Sequence, residues 1–205
     1  MKKIKSLLLI FSLITTGFTL SGCGYNTLVS LEEQVNSAWA NVETQYQRRA
    51  DLIPNLVKIV EGSATFEKGL LTEVTEMRSK VGQVKLSPED LSNEEKFKQF
   101  EQAQNNLSSS LSRLLVVVEN YPDIKSTEAF KNLQVDLAGT ENRIATARKR
   151  FNDAVQEYNT TVRRFPTIIT AKIFGFKEKQ YFKSKEGSEQ APEIKFNFDS
   201  DKNKK

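Results

Sequence analysis

Between Phe97 and Tyr121 the apolar positions advance by alternating steps of three and four: Phe97, Phe100, Gln104, Leu107, Leu111, Leu114, Val118 and Tyr121. Only Gln104 interrupts the register. A stripe of this kind places a narrow apolar seam on one side of a helix, and that seam must be covered by other helices. Three more segments carry the same pattern. Leu28, Leu31, Val35, Ala38, Val42 and Tyr46 form one stripe, with Trp39 beside it. Ile53, Leu56, Val57, Val60, Ala64, Leu70, Leu71, Val74, Met77 and Val81 form the second. The longest holds Phe130, Leu133, Leu137, Ile144, Ala147, Phe151, Val155, Tyr158, Val162 and Phe165. With only nine glycines in 205 residues, the chain is expected to be all-α, an antiparallel bundle of four long helices spanning residues 23–182. TIITAKIFGF (167–176) reads as a short apolar C-terminal helix across one end, closed near Gly175. The polar stretch 183–205 is expected to be a mostly disordered tail, with EIKFNF (193–198) able to dock in extended form.

Local signals set the expected boundaries. Pro54 cannot donate a backbone hydrogen bond inside a helix, so either one long helix kinks here or, the favoured expectation, a break falls near Asp51 with Asp51 capping a new helix. Gly82 closes the second segment. Ser87-Pro88-Glu89-Asp90 reads as one capped turn, and Ser92 with Glu95 as a capping box for the third helix. Pro122 stops that helix. Asp123, Ser126 or Thr127 can start the fourth, which runs to Arg164 before Pro166.

Composition excludes several chemistries. The chain has no histidine, which removes imidazole zinc sites, Ser-His-Asp triads and Cys-His dyads. The formal charge is +4, and Lys2, Lys3 and Lys5 supply three of those charges. The rest is near balance, so nucleic-acid binding is not expected. No catalytic constellation, metal set or phosphate loop is visible, and no cofactor is expected.

The one cysteine, Cys23, follows a basic start (MKKIK), an apolar run (SLLLIFSLITTGFTL) and small residues. Leu20-Ser21-Gly22-Cys23 resembles the bacterial lipoprotein lipobox. That resemblance implies that residues 1–22 are a signal peptide and that Cys23 carries covalent lipid. Each buried methylene of such a chain contributes about 0.8 kcal/mol, and several chains are needed to hold firmly. The alternative is a free cysteine beside an uncleaved anchor. Both attach the same end of the domain to a membrane outside the cytoplasm.

Two polar clusters stand out against the apolar stripes. Arg48, Arg49, Asp51 and Asn55 surround Pro54 and could form a partner surface; the plainer reading has the arginines pairing with surface acids such as Glu43. Further on, Asn142, Asn152 and Asn159 return near one helix face, with Thr140, Arg143 and Arg148 alongside. Asparagine is a mediocre helix former, so this repetition implies either a polar groove or amides that fix helix register.

YNTLVSLEEQVNSAWANVETQYQRRADLIPNLV (25–57), NYPDIKS (120–126) and LQVDLAGTENRIATARKRFNDAVQEYNTTVRRFP (133–166) resemble the LemA family, in order and over nearly the whole chain after the leader. The resemblance implies a long helical bundle outside the cytoplasm at a bacterial membrane, and it brings no catalytic motif. The lipobox, the bundle and the missing catalytic constellation together lead to the expectation of a non-enzymatic scaffold for envelope protein partners. It places the family's polar signature at Arg48, Arg49, Asp51, Pro54, Asn55, Glu141, Asn142, Arg148, Asn152 and Asn159. A small-ligand or peptide sensor with a groove along the fourth helix is the second expectation.

Overall fold

The computed structural model describes residues 2–62 and 66–183, with side chains from Gly24 onward. The expected docking of 193–198 and the thiol of Cys23 therefore lie outside the described residues. The elements are α1 (Lys2–Glu61), α2 (Lys68–Gln83), a 3-10 turn (Pro88–Ser92), α3 (Glu94–Val118), the single turn α4 (Pro122–Lys125), α5 (Glu128–Arg163) and α6 (Thr167–Phe174). The chain folds as a helical bundle. Successive long helices run antiparallel, because the Leu28–Tyr46 part of α1, the connection that follows α2, the start of α3 and the end of α5 share one apolar cluster. Their opposite ends share the other.

The heptad residues bury as their spacing requires. Leu28, Val35, Val42, Leu107, Leu114, Phe151, Val155 and Tyr158 are all inaccessible to solvent. The first cluster is rich in aromatic rings. Trp39 lies with its ring centroid 5.2 Å from Phe100 and 5.4 Å from Phe151. Its indole N–H donates to the Leu86 carbonyl at 3.2 Å, which ties the α2–α3 connection to α1.

One expected boundary is wrong. No break occurs at Pro54; α1 runs through it to Glu61, and α2 begins at Lys68. Asp51 is not a helix cap but accepts from Gln47 one turn back. The physical reason lies in α2. Pro54 removes the N–H that would pair with the Ala50 carbonyl, and Arg78 Nε donates to that carbonyl at 2.8 Å instead. The cost of the proline is thus partly met by a neighbouring helix, and the apolar stripe continues without a slip.

Other signals were nearer the mark. The Ser87 backbone and hydroxyl both donate to the Asp90 carboxylate, closing the expected turn. The cap of α3 is shifted by one residue: Asn93, not Ser92, accepts from the Lys96 N–H. Thr127 caps α5 through Phe130 N–H. Gly175 ends α6 with φ of 78°, the left-handed conformation that glycine adopts without a Cβ penalty.

Candidate functional site

Arg49 sits where the α1 stripe demands an apolar residue, between Tyr46 and Ile53, and it is 1% exposed. A buried guanidinium needs partners for its donors. One terminal nitrogen donates to Ser108 Oγ at 2.6 Å and Glu141 Oε1 at 3.0 Å. The other donates to Gln104, at the side-chain oxygen (2.5 Å) and the carbonyl (3.3 Å). The plane also lies 5.1 Å from the Tyr46 ring. One side chain of α1 thereby ties α3 to α5. Gln104, the single flaw in the α3 heptad, faces the single flaw in α1.

Above this node a cleft of about 410 Å³ opens between α3 and α5. Arg49, Gln104, Ser108, Ser112, Gln134 and Glu141 supply its polar wall. Glu141 is half-exposed on its outer side, so the ion pair has one foot in the interior and one in solvent. Burial pushes the Tyr46 hydroxyl above its ordinary range, with Arg148 and Arg49 pulling the other way. The phenol is neutral at the foot of the cleft.

The asparagines do something different from what either sequence reading proposed. Residues 177–183, which are Lys- and Glu-rich at their start, run extended along α5. Asn159 donates through Nδ2 to the Lys179 carbonyl and accepts from the Lys179 N–H, both at 2.9 Å. Asn152 makes the same pair of bonds with Phe182, also at 2.9 Å each. Each amide imitates one rung of a β-ladder. Seven helical residues advance about 10.5 Å, and three extended residues advance about 10 Å, so the two rungs match. On the other edge of this strap, Gln180 N–H donates to the Leu91 carbonyl at 2.8 Å.

Side chains lock the strap in place. Phe182 enters the aromatic cluster 5.0 Å from Phe97 and 5.4 Å from Phe151. Arg148 stacks 4.4 Å from the Phe182 ring, donates to the Lys183 carbonyl and pairs with Glu101. Lys179 is buried and pairs with Glu32 at 2.9 Å. Burial holds the Glu101 carboxyl above its usual value, opposed by Arg148 and by the Lys183 N–H.

The remaining sequence candidates do not join these sites. Arg48, Asp51, Asn55 and Asn142 are exposed, and Pro54 is half-buried. Of the cluster around Pro54, only Arg49 faces the cleft, and its acid is Glu141 rather than Glu43. Sequence reasoning missed Ser108, Lys179, Glu32 and Arg78. Among the described residues, no group of three or more acidic or thiol side chains is placed to hold a metal ion.

The LemA family model matches residues 38–196, which covers the node, the cleft and the strap. The chain belongs to the LemA family. It is similar to curated magnetosome proteins of two organisms. Magnetosome protein MamQ 2 of Paramagnetospirillum magneticum is 32% identical over 177 residues, covering 78% of this chain and 65% of that protein. Magnetosome protein MamQ of Magnetospirillum gryphiswaldense is 29% identical over the same shares. A protein named LemA from Metamycoplasma hominis is 21% identical over 149 residues, 71% of this chain and 63% of that one. This LemA-family chain thus spans slightly less than two thirds of each relative's length.

Proposed function

We propose that this protein is a membrane-tethered, non-enzymatic helical scaffold of the bacterial envelope that holds a partner in the α3–α5 cleft. Lipid on Cys23 attaches it, on the side facing away from the cytoplasm. The observation that carries the reading is the way the domain starts. Leu28, five residues after Cys23, is already fully buried, and α1 then continues without interruption to Glu61. No flexible linker separates tether from bundle. At 1.5 Å per residue, Arg49 stands about 39 Å along α1 from Cys23. A cleft fixed at such a height suits a scaffold that meets envelope proteins, since its distance from the bilayer is set by a helix.

The test is crosslinking in cells from photoreactive residues placed at Gln134 and Ser112, compared with Val135 on the outer face. A discrete partner at the first two positions, lost when Cys23→Ala releases the tether, is the expected result. A stably produced protein that captures nothing from the cleft would sink the scaffold reading.

A second reading has its own support. The cleft is large enough for a small ligand and has a guanidinium in its floor, so a sensor of an anionic small molecule or a peptide carboxylate fits it. Thermal-shift screening separates the two, repeated with Glu141→Gln. A sensor gains stability with a purified ligand, and a scaffold responds only to a protein.

A further inference from the structure

Helix α6 is apolar on more sides than the bundle can cover. Its inner face buries Thr170 and Ala171 against the rest of the fold. Its outer face leaves Ile169 and Ile173, one turn apart, 52% and 71% exposed. Phe165 just before it and Phe174 at its end are exposed as well. A surface helix normally turns polar residues outward, and one that is apolar all round belongs in a core or against lipid. TIITAKIF contains no acid, and its only charge is Lys172.

The position of this patch identifies what covers it. A Cβ built on Gly24 would lie 3.3 Å from Thr170 Oγ1, so α6 packs directly on the start of the described side chains. The Tyr25 ring lies 4.8 Å from Phe174 and 5.8 Å from Phe176. Immediately upstream in sequence is the most apolar run of the chain, residues 6–20. Wherever that end is anchored, α6 is carried with it. The rim is mostly basic: Arg164, Lys172 and Lys177 are exposed, and Arg163 pairs with Glu178 at 3.8 Å. Apolar side chains ringed by cations match an anionic bilayer surface, where each nearby Lys or Arg is favourable.

We propose that α6 is a second membrane contact, lying in the headgroup region of an anionic bilayer with Phe165, Ile169, Ile173 and Phe174 inserted. It rests on the reading that the Cys23 end is membrane-tethered. Attachment at a single point would let the bundle pivot about it; a second contact beside it holds the bundle upright and fixes the direction in which the cleft faces.

The experiment uses the full chain in phosphatidylcholine vesicles containing about one-quarter phosphatidylglycerol, with bromines near the top of the acyl chains. A tryptophan is introduced at Ile173→Trp or, as a distal control of equal exposure, at Val135→Trp. The expected result is co-flotation of both proteins, with the Ile173→Trp emission quenched at least about twofold more than the control, as insertion about 5–10 Å deep requires. Adding Ile169→Asp to the Ile173→Trp protein should abolish the excess quenching while leaving flotation intact. If both proteins float and quench equally, the α6 contact is wrong and the tether stands. If neither floats, tether and contact fall together. Equal quenching with concentration-dependent dimerisation would assign the face to a second copy of the chain and also overturn the proposal.

Discussion

At the scale of single residues, two side chains carry more than their type suggests. Asn159 satisfies both backbone groups of Lys179 in a buried setting. Asn159→Ala leaves an N–H and a carbonyl without partners, each costing about 1–3 kcal/mol. A loss of roughly 2–4 kcal/mol in urea unfolding is expected, with faster hydrogen exchange at Lys179 and Phe182 before global unfolding. Slow exchange at those amides in the variant would mean that the strap is held by Phe182 alone. Glu101 gives a pH dependence. Burial raises its carboxyl from the ordinary value of 4.5, so the folded state holds the proton more tightly than the unfolded one. That contribution is fully present below the ordinary value and is lost as pH rises through the raised one. Glu101→Gln keeps an acceptor for the Lys183 N–H without the charge. Its urea midpoint, relative to wild type, should therefore rise as pH climbs from the ordinary carboxylate value of 4.5 through the raised one.

At the scale of elements, Pro54 explains both an error in reading the sequence and the seat of a helix. Proline rules describe a helix in isolation, where losing the bond to Ala50 costs about 3 kcal/mol. They cannot register that Arg78, 28 residues away in sequence from Ala50, replaces the donor. The coupling is measurable. Arg78→Ala alone orphans the Ala50 carbonyl and should cost about 1–3 kcal/mol. In a Pro54→Ala background the restored backbone N–H takes over as donor to Ala50, so the same change should cost at least about 1 kcal/mol less. Additive effects would show that the Arg78 bond does not compensate the proline. The same limit hid the strap. The heptads of α3 and α5 were legible because one helix face repeats, and Gln104 was visible as a fault in that repeat. Lys177-Glu178-Lys179 has the composition of a solvated tail, and its binding depends on the match between two rises per residue in different elements. The seven-residue spacing of Asn152 and Asn159 was on view, but not what they hold.

At the scale of the whole molecule, the bundle has two apolar clusters separated by a polar belt of Arg49, Gln104, Ser108 and Thr140. A buried ion pair is seldom the cheapest way to hold a core together, since hydrophobic residues of like volume are often as stable or more so. The belt therefore points to use rather than stability, and the two can be separated. Arg49→Met leaves Gln104 and Ser108 without their main partner, while Glu141 remains partly solvated, and should cost about 2–4 kcal/mol. Arg49→Met combined with Gln104→Leu replaces most of the belt with apolar volume and should recover at least about half of that loss. Such a variant joins the two clusters into one core and removes the guanidinium from the cleft floor. If the cleft serves a partner, this well-folded protein no longer gives the crosslinked species from Gln134 and Ser112. If capture persists at the wild-type level, the belt only sets helix register, and the partner recognises some other part of the bundle.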